Sequence, residues 1–172
     1  MPVFLIGLPG SGKSTIGQAV ATKLHIPFVD LDREIEEAAG KPITRIFAEV
    51  GEPGFRALEL AATERLPRTP AIVAPGAGWI SNEAVRVLVP RAGPTIYLRV
   101  EPRTAALRLG AESADRPLLA GDPLRELERM LAARKELYES ADGLVDTEQY
   151  PIDQVVQRTA ELASAFLQHR RE

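Results

Sequence analysis

Residues Gly7-Leu8-Pro9-Gly10-Ser11-Gly12-Lys13-Ser14 carry the spacing G-x-x-x-x-G-K-[ST] in full. Gly10 and Gly12 allow backbone conformations that turn several N–H groups toward one anion. The N-terminus of a following helix adds its partial positive charge. Lys13 is spaced to reach β- and γ-phosphates, and the Ser14 hydroxyl to ligate Mg²⁺. A β-rich run precedes the loop and helical spacing (Ile16, Val20, Leu24) follows it, which is the context a nucleotide-phosphate site requires.

A second group of chemistry-bearing residues is Phe28-Val29-Asp30-Leu31-Asp32. Two carboxylates at i and i+2 on an extended chain project to one side. Asp30 is placed to orient magnesium-bound water, and Asp32 to accept a hydroxyl proton; the competing reading makes Asp32 the N-cap of a helix starting near Arg33. Arg134 falls on an apolar helix face with Leu127, Met130, Leu131 and Tyr138, where it needs a partner or must snorkel to the surface. Arg56, near a helix start, reads as a carboxylate ligand or as a solvated side chain. A guanine-reading N-K-x-D is absent, since the single asparagine, Asn82, is followed by Glu83. The run Ala71-Ile72-Val73-Ala74 ends in Pro75-Gly76-Ala77-Gly78 rather than in the aspartate of large ATPases.

Strand and helix signals alternate along the chain that must position these groups. The pattern predicts a three-layer α/β/α fold with a mostly five-stranded parallel sheet. Strands are expected at Val3–Ile6, Phe28–Val29, Ala71–Ala74, Thr95–Val100 and, more weakly, Gly143–Asp146. A last helix is expected after Pro151, with Ile152, Val155, Val156, Leu162, Ala163, Phe166 and Leu167 on one face. Residues 31–66 show helical spacing without a strand and are expected to form an inserted helical, substrate-binding subdomain. Residues 110–123, with two glycines, two prolines and Glu112, Asp115 and Asp122, are expected to form a mobile lid.

The 172 residues suit one domain, and an apolar share of 45% is enough to bury a sheet. A net charge of −3 offers no footprint for nucleic acid or an anionic membrane. The absence of cysteine excludes disulfides and thiolate chemistry. No run approaches the ~18 apolar residues of a membrane span, and the N-terminus shows no leader pattern. A cytoplasmic monomer is the expectation. His25 and His169 sit near expected helix ends and receive no role.

Taken in order, the residues resemble the shikimate kinase family, within the nucleoside-monophosphate-kinase-like P-loop fold. The similarity runs through Gly10–Thr15, Phe28-Val29-Asp30-Leu31-Asp32 with Ile35-Glu36, and Ile46-Phe47-Ala48 through Gly51-Glu52 to Gly54-Phe55-Arg56. It continues in Gly76-Ala77-Gly78, Asp115-Arg116-Pro117-Leu118-Leu119, Arg134 with Leu137-Tyr138, and Val145-Asp146-Thr147. The resemblance implies transfer of the γ-phosphoryl of ATP to the 3-hydroxyl of shikimate, a step toward aromatic amino acids, with Mg²⁺ on Ser14 and, through water, on Asp30. It implies that Gly10, Ser11, Gly12, Lys13, Ser14 and Thr15 hold the phosphates, that Arg116 on the lid contacts them, and that Arg108 and Pro151 lie by the adenine. It further implies that Asp32, Arg56 and Arg134 hold shikimate with the backbone of Gly76, Ala77 and Gly78. Lys13, Asp32 and Arg116 would be the catalytic set. A fork of guanidinium donors suits the one carboxylate of shikimate on chemical grounds as well.

The chain departs from the family pattern in four places. Ala77 stands inside a turn that usually holds three glycines, and Trp79 follows where a small residue is common. Leu31 replaces a residue often polar, and Glu148-Gln149-Tyr150 lacks an arginine common near the adenine. Trp79 reads as a core residue or as a wall of the substrate cleft, and Tyr150 as part of the adenine side. These changes keep two alternatives open: a kinase of another small acceptor such as gluconate, and a non-catalytic nucleotide-binding protein.

Overall fold

The computed structural model describes residues 1–110 and 121–169. Five strands, β1 (Val3–Ile6), β2 (Phe28–Asp30), β3 (Ile72–Ala74), β4 (Thr95–Arg99) and β5 (Gly143–Asp146), form one parallel sheet in the order β2-β3-β1-β4-β5. All five lie where the sequence places strands, β2, β3 and β4 with one end shifted by a residue. The alternation of side chains along β1 explains the layering. Phe4 and Ile6 enter a core shared with Trp79, Tyr97, Leu127 and Tyr138, whereas Val3 and Leu5 enter a second core with Ile16, Val20, Val155 and Ala163. Both faces of the sheet are therefore covered, as an all-parallel sheet demands.

Helices α1 (Lys13–Leu24) and α7 (Ile152–His169) pack on the second face, against each other and against β1. Helices α4 (Glu83–Ala92), α5 (Pro102–Leu109) and α6 (Pro123–Glu139) contribute to the first. Between β2 and β3 lie α2 (Leu31–Ala39) and α3 (Ile43–Arg65), with a small core of their own in Ile35, Ile46 and Phe55. Gly51, at φ 66° and ψ −176°, breaks α3 into two helical runs. Residues 31–65 thus hold two helices and no strand. Of the stretch 110–123, residues 111–120 lie outside the described residues; Asp122 caps α6, its carboxylate accepting Arg125 N–H at 3.2 Å. No helix among the described residues is long and apolar enough to cross a membrane. His25 ends α1 in a left-handed conformation, its N–H returning to the carbonyls of Ala21 and Thr22.

Candidate active site

The loop after β1 leads directly into α1, and Gly12, at φ 90°, occupies the N-cap position with no side chain covering the helix end. A residue with a Cβ is strained at that φ. Gly10 has a second reason for its identity, because a Cβ there would lie 2.7 Å from the Ala105 carbonyl oxygen. The first turn of α1 holds no acid, so its N–H groups present uncompensated positive potential. Lys13 Nζ arches back over the loop and donates to the carbonyls of Gly7 and Leu8, each at 2.9 Å. Ser14 and Thr15 line the cleft, but the Ser11 side chain is fully buried and its hydroxyl has no protein partner.

The two aspartates enter the same cleft by a route other than the one expected. Strand β2 ends at Asp30 and α2 starts at once at Leu31, so the pair does not sit on an extended chain. Asp30, not Asp32, is the helix cap: its Oδ1 accepts Arg33 N–H at 3.2 Å, and its Oδ2 accepts the Ser14 hydroxyl at 3.3 Å. Asp32 is thereby left without a capping duty, and its Oδ1 is buried without a hydrogen-bond partner. Burial, then the charges of Glu59 and Asp30, push the Asp32 carboxyl up to about 6, with Lys13 pulling the other way. A hydroxyl and carboxylate oxygens are the hard donors that suit Mg²⁺, which keeps much of its coordination on phosphate and water and needs few protein ligands.

Arg56 and Arg134 reach the cleft from α3 and α6. Arg56 Nη1 donates to Glu59 Oε2 at 2.7 Å and Nη2 to Glu52 Oε1 at 3.1 Å. Glu59 is 1% exposed, and burial raises its carboxyl while Arg56, Asn82 and Arg134 hold it down. Arg134 does not snorkel away: it is half-buried, and its Nη1 donates to the Ala77 carbonyl at 3.2 Å, beside the Tyr138 hydroxyl at 3.1 Å. The turn between them explains which glycines matter. A Cβ on Gly76 would lie 2.9 Å from Asp32 Oδ1, and one on Gly78 would lie 2.4 Å from Arg56 Nη2. Ala77 instead offers its carbonyl to Arg134 and Tyr138.

Asp30, Asp32, Arg56, Arg134 and the 76–78 turn thus line one cleft with the phosphate loop, a space of about 1400 Å³. Arg108 also lines it, held by Thr147 through the hydroxyl and carbonyl at 3.0 Å each. Near it Tyr150 and Ile152 line the cleft, with Pro151 exposed between them. Arg116 lies outside the described residues. Trp79 turns into the core, fully buried against Phe4. Sequence reasoning missed Glu59. The signal was there, since Phe55, Glu59 and Thr63 repeat at i, i+4 and i+8 and put a carboxylate on a buried face three residues from Arg56.

A model described as shikimate kinase matches residues 9–164. The chain is 41% identical to the shikimate kinase of Chlorobaculum parvum over 90% of its own length and 88% of the relative's. It is 46% identical to that of Thermobifida fusca over 79% and 78% of the two chains. Among solved structures, shikimate kinase from Acinetobacter baumannii in complex with shikimate superimposes with a TM-score of 0.85 at 32% identity, covering 95% of this chain and 93% of the other.

Proposed function

The chain belongs to the shikimate kinase family, and from that premise we propose how its own residues phosphorylate shikimate. The reaction is ATP-dependent transfer to the 3-hydroxyl, giving shikimate 3-phosphate and ADP. The observation that carries the assignment of roles is the convergence of one unpartnered acid, Asp32, and two arginines on the cleft that contains the phosphate loop.

ATP phosphates lie on the N–H groups at Gly10–Thr15, with Lys13 leaving the Gly7 and Leu8 carbonyls for the β- and γ-phosphate oxygens. Phosphoryl transfer asks little covalent chemistry of a protein, so positioning and charge stabilisation are the main contributions. Ser14 and, through water, Asp30 would hold Mg²⁺, which would supply neutralisation of phosphate charge. Arg56 and Arg134 grip the shikimate carboxylate, and the two acids on Arg56 fix its fork before substrate arrives. Asp32, held against Gly76, accepts the proton of the 3-hydroxyl as it attacks. Its unusual affinity for protons makes it a better base than an exposed aspartate while leaving it mostly ionised at pH 7. Arg108, Tyr150 and Ile152 form the adenine side.

Coupled detection of ADP with shikimate, gluconate and a nucleoside monophosphate offered separately tests this reading. ADP release that depends on shikimate alone is expected. Equal turnover with gluconate would overturn the acceptor, and ATP binding without turnover on any acceptor would overturn the catalytic roles.

A further inference from the structure

Trp79 is the single tryptophan, and its ring stacks on Phe4 with centroids 4.8 Å apart and planes at 19°. Packing accounts for the ring but not for the indole N–H. Nε1 donates to Thr63 Oγ1 at 2.9 Å, and the Thr63 hydroxyl donates in turn to the Glu59 carbonyl at 2.7 Å. Glu59 is the buried acid that holds Arg56 Nη1. The segment around Trp79 touches the same helix twice more: Gly78 packs against the Arg56 guanidinium, and Asn82 Nδ2 donates to the Arg56 carbonyl at 2.8 Å.

Arg56, Glu59 and Thr63 lie at i, i+3 and i+7, one stripe of α3. The 78–82 segment therefore grips that stripe at both ends, at Arg56 and at Thr63. Threonine inside a helix commonly bonds its own i−4 carbonyl; here the hydroxyl also accepts the indole, so the buried indole N–H and the buried Thr63 hydroxyl are both satisfied. Such a chain fixes geometry because each unmade bond there is costly.

We propose that Trp79 is a positioning residue for the acceptor site: through Thr63 it fixes the turn of α3 that presents Glu59 and Arg56, and so sets the guanidinium for the substrate carboxylate. The proposal rests on the assignment of Arg56 to the shikimate carboxylate.

Steady-state kinetics with shikimate and ATP varied separately test it. Thr63→Val keeps the shape and removes both hydrogen bonds, Thr63→Ser restores them, and Trp79→Phe keeps a ring while removing the donor. In Thr63→Val and Trp79→Phe the KM for shikimate is expected to rise about tenfold, equivalent to about 1.4 kcal/mol of binding. The KM for ATP should stay within about a factor of two, a small free-energy change on the same scale, and Thr63→Ser should restore the parent value. Should Thr63→Val fail to fold, judged by its melting curve, Trp79→Phe carries the test. Arg56→Ala is measured beside them. If it leaves the shikimate KM unchanged, the assignment of Arg56 falls and the proposal with it. If it raises that KM while Thr63→Val and Trp79→Phe leave it alone, or raise both KM values alike, Trp79 is packing only and the proposal is overturned.

Discussion

Asp32 shows how one residue's chemistry follows from what its neighbours do. Asp30 takes the capping duty, Gly76 brings backbone against the carboxylate, and Oδ1 is left buried with nothing to accept. A carboxyl raised to about 6 is neutral below that pH and cannot accept a proton there, so kcat/KM for shikimate should bend downward as pH falls through about 6. A flat profile from pH 5 to 8 would argue against the base. The same shift has a stability consequence. The fold prefers the neutral acid, so ionisation costs stability progressively from the model-compound value of 3.8 up to about 6 and fully above it. Asp32→Asn should therefore lose turnover yet stabilise the protein above pH 6 by roughly 1–3 kcal/mol, a gain that vanishes below about pH 4. Thermal melts at pH 7.5 and 3.5 check it. Lys13→Ala should lower kcat by about 10³-fold or more, as loss of a main transition-state charge does. Near-normal turnover in that variant would remove Lys13 from the mechanism.

At the scale of elements, the turn after β3 matters most. It must bring Asp32, Arg56 and Arg134 together from α2, α3 and α6, and it does so by omitting side chains at Gly76 and Gly78 while lending the Ala77 carbonyl to α6. Gly78→Ala forces the Arg56 guanidinium away from a Cβ 2.4 Å distant. It should raise the KM for shikimate by about tenfold or more, with ATP affinity kept, as expected when a charged anchor is displaced. Ala77→Gly should change either value by less than about threefold, since the carbonyl that Arg134 and Tyr138 use is kept and some backbone rigidity is lost. Strands and most helices were legible from alternation and apolar spacing, and the phosphate loop from its motif, whereas Arg56 and Arg134 were drawn together only by the family resemblance, since spacing alone left each free to be solvated. The handover from β2 to α2 at Asp30 was not, because either aspartate is a good cap and only the register of the backbone decides between them. The resemblance puts Pro151 near the adenine, and its two neighbours Tyr150 and Ile152 line the cleft.

For the whole molecule, one sheet covered on both faces puts the ends of β1, β2 and β3 at a common edge, and the cleft lies outside them as in other open α/β sheets. The fold could be read from sequence because all-parallel strands are buried on both faces and carry strong apolar runs. Spacing marks Glu59 as a buried carboxylate beside Arg56 on its own helix, but its other partners, Asn82 just before α4 and Arg134 on α6, are brought near only by the fold. The central claim, that two guanidinium groups beside an anion cradle select a carboxylated alcohol, is tested most directly by measuring phosphorylated product from shikimate and from its methyl ester at equal concentration. The predicted result is that the ester loses roughly a hundredfold or more in kcat/KM, because a site built around a charged acceptor is left with unpaired buried donors. Comparable phosphorylation of acid and ester would contradict it.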